Sequence, residues 1–215
     1  MMMELTLIQK IAIYALPVIF AITVHEAAHG YIARYFGDTT AESLGRITLN
    51  PVKHIDPIGT ILVPALLVFS GTGFLFGWAK PVPVDYSRLR NPKRDMRWVA
   101  AAGPASNFLM AIFWAMVYKF STTMTGDFAM PLSLMGQAGI LVNVVLMVLN
   151  LLPLPPLDGG RIAVSLMPNH MAYKFAQIER YGFIILLVLM FTGILSKIMM
   201  PFIVLLLSMF AGLFG

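Results

Sequence analysis

The sequence contains no cysteine and few charged residues. None of its 215 residues is Cys, and Asp, Glu, Lys and Arg together make up only 12% of the chain. The absence of cysteine excludes a disulfide framework, a thiolate zinc site and a cysteine nucleophile, so any metal ligand must be a histidine or a carboxylate. A soluble domain carries about 25% charged residues. The low charge therefore excludes a free soluble domain and a disordered chain.

Apolar residues take the place of the missing charge. They make up 59% of the sequence, and the mean hydropathy is +0.81. Because soluble domains contain about 45–50% apolar residues, this composition indicates a polytopic membrane protein. Fifteen Lys and Arg stand against ten Asp and Glu. In a membrane protein such an excess of basic residues reflects the orientation of the loops across the membrane. We therefore expect no nucleic-acid partner.

Long apolar runs predict membrane-spanning helices, since a helix needs about 20 apolar residues to cross a bilayer. The runs cover residues 5–36, 58–76, 98–120, 134–157 and 182–215. The first run ends before Gly37, a residue typical of helix C-termini. The last run is too long for one span, so we expect a helical hairpin that bends near Lys197 and Pro201.

Two segments are predicted to be extended. Leu44–Leu49 alternates in polarity like a short strand, and residues 77–84 contain two prolines, which forbid helix. The run 58–76 contains four Gly or Pro residues, so either it re-enters the membrane or 77–84 dips back as a re-entrant hairpin. We expect an all-α polytopic membrane protein with about five to six transmembrane or re-entrant segments and a short β-like re-entrant element.

Charges in the loops predict the orientation of the helices. Residues 85–97 carry five Lys or Arg against two Asp, whereas residues 121–133 carry one Asp and no Lys or Arg. Because basic loops stay in the cytoplasm, the first loop is predicted to lie inside and the second outside.

His25-Glu-Ala-Ala-His29 has the HExxH pattern and lies late in the first apolar run. On a helix, residues i and i+4 share one face, so the two imidazoles can bind one tetrahedral ion. Glu26 lies beside them and can act as general base on a metal-activated water. The alternative is a pair of interface histidines that hydrogen-bond across a helix bundle, but ionisable groups in an apolar helix are costly and indicate function.

A catalytic zinc ion takes three protein ligands, and Asp158 is the strongest candidate for the third. It follows the run 134–157, which returns from outside and ends on the same side as His29. The two glycines after Asp158 allow a close backbone approach. The same residues also fit a turn in which Asp158 only caps the backbone. A membrane metal-ion transporter or metal-binding protein is the alternative function, and it predicts several metal sites along a path.

Three motifs in this order resemble those of the site-2 protease family of intramembrane zinc metalloproteases (peptidase M50-like). They are His25-Glu-Ala-Ala-His29, Ala102-Gly-Pro-Ala-Ser-Asn107 and Asn150-Leu-Leu-Pro-Leu-Pro-Pro-Leu-Asp158-Gly-Gly160, the last having the family pattern NxxPxxxLDG. The resemblance implies one Zn²⁺ per chain, bound by His25, His29 and Asp158, with Glu26 as the catalytic base.

The resemblance also implies substrate-binding roles for Asn150, Pro153 and Asn107. For the asparagines the alternative is interhelical hydrogen bonding. Residues 77–84 are similar to a family segment that offers a strand edge to an unwound substrate, the alternative being a proline-rich loop.

The expected function is that of an intramembrane zinc endopeptidase that cleaves transmembrane segments near the cytoplasmic face by metal-activated water. Its expected partners are a transmembrane protein substrate and the lipid bilayer, and the sequence leaves an oligomer open. The chain resembles a minimal core member without an evident PDZ or CBS domain. We expect one membrane-embedded domain over 1–215, with a catalytic core over about 5–165 and a C-terminal hairpin over about 181–215. Its expected location is a bacterial or archaeal cell membrane, with the active site toward the cytoplasm.

Overall fold

The computed structural model describes residues 6–63, 66 and 77–214, and this part of the chain is helical and contains no β-strand. Its α-helices are α1 (Leu7–Tyr35), α2 (Thr40–Ser43), α3 (Pro92–Thr123), α4 (Ala129–Asn150), α5 (Asp158–Leu166), α6 (Asn169–Ala176), α7 (Glu179–Phe191) and α8 (Ile194–Phe214). Shorter turns of other pitch are a 3₁₀ helix at Pro51–His54, a π-helix at Pro57–Leu62 and a 3₁₀ helix at Tyr86–Arg88.

Four of the described helices, α1, α3, α4 and α8, are long and apolar enough to cross a membrane. Helix α7 has 13 residues and is about 20 Å long, too short for a hydrocarbon core of about 30 Å. The prediction of an all-α polytopic membrane protein is thus confirmed. Most of the run 58–76 lies outside the described residues. The prediction that this run spans or re-enters the membrane falls on those residues.

Helix α3 lies at the centre of the bundle and packs against α1, α4, α5 and α8. Its closest neighbour is α4, because glycines face bulky side chains at their interface. A Cβ atom on Gly136 would lie 2.8 Å from Tyr118 Cβ, and one on Gly139 would lie 2.1 Å from Trp114 Cγ. Small residues of this kind let two helix backbones approach closely within a membrane.

The first helix ends as the sequence predicts. Gly37 adopts a φ of +111°, a conformation that favours glycine. Its N–H donates to Arg34 O at 3.0 Å and the next N–H, of Asp38, donates to Ala33 O at 2.9 Å. This pair of bonds is a Schellman motif, which stops the helix and turns the chain away from the bundle.

The predicted strand at Leu44–Leu49 is wrong, and the predicted β-like element forms no ladder in the described residues. The chain turns after α2 because Gly45 takes a φ of +60°. Residues 77–85, here called the strap, have no regular secondary structure. Two isolated backbone hydrogen bonds hold the start of the strap, from Trp78 N–H to Gly59 O at 3.0 Å and from Lys80 N–H to His54 O at 2.9 Å. Its prolines lack the N–H groups that a ladder requires.

The C-terminal region bends at Gly193 and not near Lys197 and Pro201 as expected from the sequence. Gly193 has a φ of +73° and separates α7 from α8. Pro201 lies inside α8, where a membrane helix tolerates proline because neighbouring groups satisfy the freed backbone. Helices α7 and α8 contact each other, and α8 also packs on α4.

Candidate metal centre

Three potential ligand atoms from two distant helices converge at one buried point. His25 and His29 lie one turn apart on α1, and their Nε2 atoms are 3.0 Å apart. Asp158, the first residue of α5, places its Oδ2 atom 3.3 Å from His25 Nε2 and 3.4 Å from His29 Nε2. In a tetrahedral zinc site with bonds of about 2.0–2.1 Å, neighbouring ligand atoms lie about 3.3 Å apart. The three atoms therefore have the spacing of a metal site.

The chemistry of the three atoms also fits a cation. Asp158 Oδ2 is buried and has no hydrogen-bond partner, an arrangement that is rare for a carboxylate oxygen in a protein interior. An anionic oxygen beside two imidazole nitrogens is a donor set that zinc prefers.

The outer nitrogen of each ring contacts an oxygen that can only accept. His25 Nδ1 lies 2.7 Å from Asn107 Oδ1, and His29 Nδ1 lies 2.8 Å from the Val99 carbonyl. Each Nδ1 must therefore carry the proton, and each Nε2 presents its lone pair to the centre. Such outer partners are typical of histidines that bind metals.

Helix α3 makes room for the two rings at Gly103. A Cβ atom on this residue would lie 2.5 Å from His29 Nε2 and 2.6 Å from His25 Nε2. Any larger residue would therefore occupy the space of the ligand atoms. Gly103 belongs to the second motif, but its contact with the two rings depends on helix packing and is not evident from the sequence.

Glu26 lies next to the centre and is held by the strap. Its Oε2 atom accepts a hydrogen bond from Val82 N–H at 2.7 Å. Two cavities open at this point, of about 720 Å³ and 340 Å³. Both are lined by His25, Glu26, Pro81, Asn150, Pro156, Leu157 and Arg161. The smaller cavity is also lined by His29 and Asp158, so a substrate there would meet the carboxylate and all three candidate metal ligands.

The other predicted site residues differ in their surroundings. Asn150 lines both cavities, and its Nδ2 donates to Leu146 O at 3.0 Å. Pro153 is exposed in the loop after α4 and is not among the residues that line these two cavities. Asn107 is fully buried behind His25. Asn107 contacts Asn143, which is also buried. Asn143 is a polar residue within an apolar run, and this is the only sequence signal that could have identified it.

Known proteins resemble this chain over most of its length. The profile of Peptidase family M50 matches residues 126–193. YwhC of Bacillus subtilis, named as a candidate zinc metalloprotease, is 42% identical over 187 residues, which cover 85% of this chain and 82% of that protein.

Two more relatives, both named Rip2, also carry the name of candidate zinc metalloprotease. Rip2 of Mycolicibacterium smegmatis is 31% identical over 83% of this chain and 66% of its own length. Rip2 of Mycobacterium tuberculosis H37Rv is 27% identical over 79% of this chain and 62% of its own length. No solved structure matches the chain significantly.

Replacing Gly103 by alanine should abolish metal binding, because the added methyl group would displace the two imidazoles. Alanine is the better helix former by about 1 kcal/mol, so a weaker helix cannot explain the loss. The zinc content of the purified variant measures the effect. Gly212→Ala is the matched control, since a Cβ atom there meets no atom within 4 Å. Full zinc occupancy in Gly103→Ala would contradict this account of the centre.

Proposed function

The chain belongs to peptidase family M50 and is a membrane zinc metallopeptidase, and from this premise we propose that it cleaves transmembrane segments of other membrane proteins near the cytoplasmic face. The observation that carries the proposal is the buried triangle of His25, His29 and Asp158 beside an open cavity. Within the described residues it is also the one group of three His, Asp or Glu side chains with metal-binding geometry. A transport path would need more than one.

In this proposal His25, His29 and Asp158 hold the zinc ion through Nε2, Nε2 and Oδ2. When bound, zinc would act as a Lewis acid that lowers the pKa of water and polarises a peptide carbonyl. The Nδ1–H groups keep both rings in the tautomer that binds metal. The burial of all three side chains strengthens every electrostatic interaction at this point.

Glu26 is the proposed general base. Because its Oε2 atom accepts the Val82 N–H, Oε1 is the atom left to take the proton from the attacking water. The same oxygen then donates the proton to the leaving amide nitrogen, so that the carboxylate is regenerated as the C–N bond breaks. The strap thus determines which of the two carboxylate oxygens is available for proton transfer.

The larger cavity has a lining suited to an apolar peptide. Besides the residues already named, its walls include Ile22, Trp78, Leu146, Leu149, Phe183 and Leu186. A substrate helix must unwind before water can reach its amides, and the freed backbone groups then need partners. We assign part of this task to Asn150, whose Oδ1 can accept a substrate N–H while its Nδ2 donates to Leu146 O. Pro153 belongs to the same proposed substrate-binding motif.

The reaction is assigned to the cytoplasmic side. Helix α3 begins at Pro92 within the basic loop, and its Val99 carbonyl contacts His29. Seven residues of helix separate the two positions, or about 11 Å. The metal site would therefore lie at a shallow depth in the membrane, close to the cytoplasmic end of α3 that carries the Lys and Arg residues.

Glu26→Gln should retain zinc but lose cleavage of a model transmembrane substrate, because glutamine cannot take the proton. General-base catalysis contributes about 10²–10⁴-fold, and we expect a loss of that size. Cleavage of a purified substrate in proteoliposomes, with zinc content measured in parallel, tests the role. Cleavage at the wild-type rate would refute it.

Val82→Pro removes the N–H that holds Glu26. The position already precedes Pro83, which restricts residue 82 to extended conformations. A hydrogen bond to a charged group contributes about 1.5–3 kcal/mol, so cleavage should fall about 10–100-fold with zinc content unchanged. Val82→Ala is the control, since it trims the side chain and keeps the N–H. Equal rates in the two variants would show that the strap does not position Glu26.

Single cysteines test the orientation, because the chain has none of its own. A membrane-impermeant maleimide added to intact bacterial cells should label Thr125→Cys in the loop after α3. It should label Asn91→Cys in the basic loop only after the membrane is permeabilised. The opposite labelling pattern would place the site on the outer side.

A further inference from the structure

We propose that Asn107 and Asn143 are positioning residues that fix the His25 ring for metal binding. Both side chains are fully buried, Asn107 on α3 and Asn143 on α4. They form a continuous chain of hydrogen bonds that ends at His25 Nδ1. The inference rests on the proposed zinc site, and it assigns Asn107 to the support of a ligand, away from the substrate.

The direction of every bond in this chain follows from its far end. Asn143 Nδ2 lies 2.9 Å from the Gly139 carbonyl, which can only accept. The Asn143 side chain must therefore present its Oδ1 to Asn107, and Asn107 Nδ2 donates to that oxygen at 3.0 Å. A second N–H of the same group donates to Ala21 O at 3.3 Å. Both anchors are backbone carbonyls, which cannot change from acceptor to donor.

The amide of Asn107 is thereby held in one orientation. Its Oδ1 faces His25 Nδ1 at 2.7 Å and can only accept, so the proton resides on Nδ1 and the lone pair on Nε2. If Asn107 turned over, its N–H₂ group would face the ring and favour the tautomer with the proton on Nε2. That tautomer cannot bind a metal ion through Nε2.

The two histidines are supported in different ways. The Val99 backbone carbonyl accepts a hydrogen bond from His29 Nδ1 and so fixes the tautomer of this ring directly. No other side chain is needed to orient His29. His25 depends on two side chains that link α1, α3 and α4. Metal affinity is therefore coupled to the packing of α4, which contributes no metal ligand to the proposed site.

The test is the zinc dissociation constant of the full-length protein in detergent, measured by competition with a chelator. Loss of an outer partner of a metal-binding histidine weakens binding about 10–100-fold, and we expect losses in this range for Asn107→Leu and Asn143→Leu. Gln137→Leu is the control, because it also replaces a side-chain amide by leucine, at an exposed position of α4, and should leave zinc affinity unaltered.

A second substitution separates positioning from simple structural support. Asn107→Asp presents an acceptor from either oxygen, so it needs no orientation by Asn143. The double variant Asn107→Asp/Asn143→Leu should therefore regain most of the zinc affinity lost in Asn143→Leu. If the two asparagines only stabilise the helix packing, the double variant will bind zinc no better than Asn143→Leu, and the proposal is overturned.

Further outcomes distinguish this inference from the proposed function. Wild-type zinc affinity in both leucine variants would overturn the inference and leave the metal site intact. Should the leucine variants not fold, Asn143→Ala and Asn107→Asp/Asn143→Ala replace them: higher zinc affinity in the double variant supports the proposal, and equal affinity overturns it. If the wild-type protein and His25→Ala bind zinc equally, the proposed metal site itself fails.

Discussion

The close approach of two imidazole nitrogens and a carboxylate oxygen in buried surroundings is the constraint on which the rest of the structure depends. The three atoms lie within 3.4 Å of one another, and the carboxylate oxygen has no hydrogen-bond partner. Such crowding of acceptor atoms away from water is costly. A divalent cation removes this cost because it binds all three atoms at once. Metal binding by these three atoms, as proposed, would therefore be coupled to the relative placement of α1 and α5.

The remaining elements around this point each meet a different requirement of a metallopeptidase. Helix α3 gives space at Gly103 and an acceptor at Val99 for one of the rings. The strap holds the Glu26 carboxylate through Val82, and its residues Trp78 and Pro81 line the larger cavity. Within the bundle, the amides of Asn107 and Asn143 satisfy each other, which is favourable where water is scarce.

Sequence patterns predict the parts of this site that depend on local geometry. His25 and His29 follow from their spacing on one helix. For Asp158, 129 residues after His29, the pattern left a ligand role and a capping role open, and the family resemblance favoured the ligand role. Asn143 belongs to none of the three motifs. Its role is not evident from the sequence, because it depends on which face of α4 meets α3. Alternation over Leu44–Leu49 was too short a pattern to specify a strand, since one glycine with a positive φ turns the chain instead. Contacts between distant segments are set by packing, which local periodicity does not encode.

The most direct test of the central claim is an experimental structure of the zinc-loaded protein with anomalous scattering recorded at the zinc edge. One zinc peak is expected, at about 2.0–2.2 Å from His25 Nε2, His29 Nε2 and an Asp158 carboxylate oxygen. A zinc peak elsewhere, or a zinc ion bound by the two histidines with Asp158 beyond coordination distance, would contradict it.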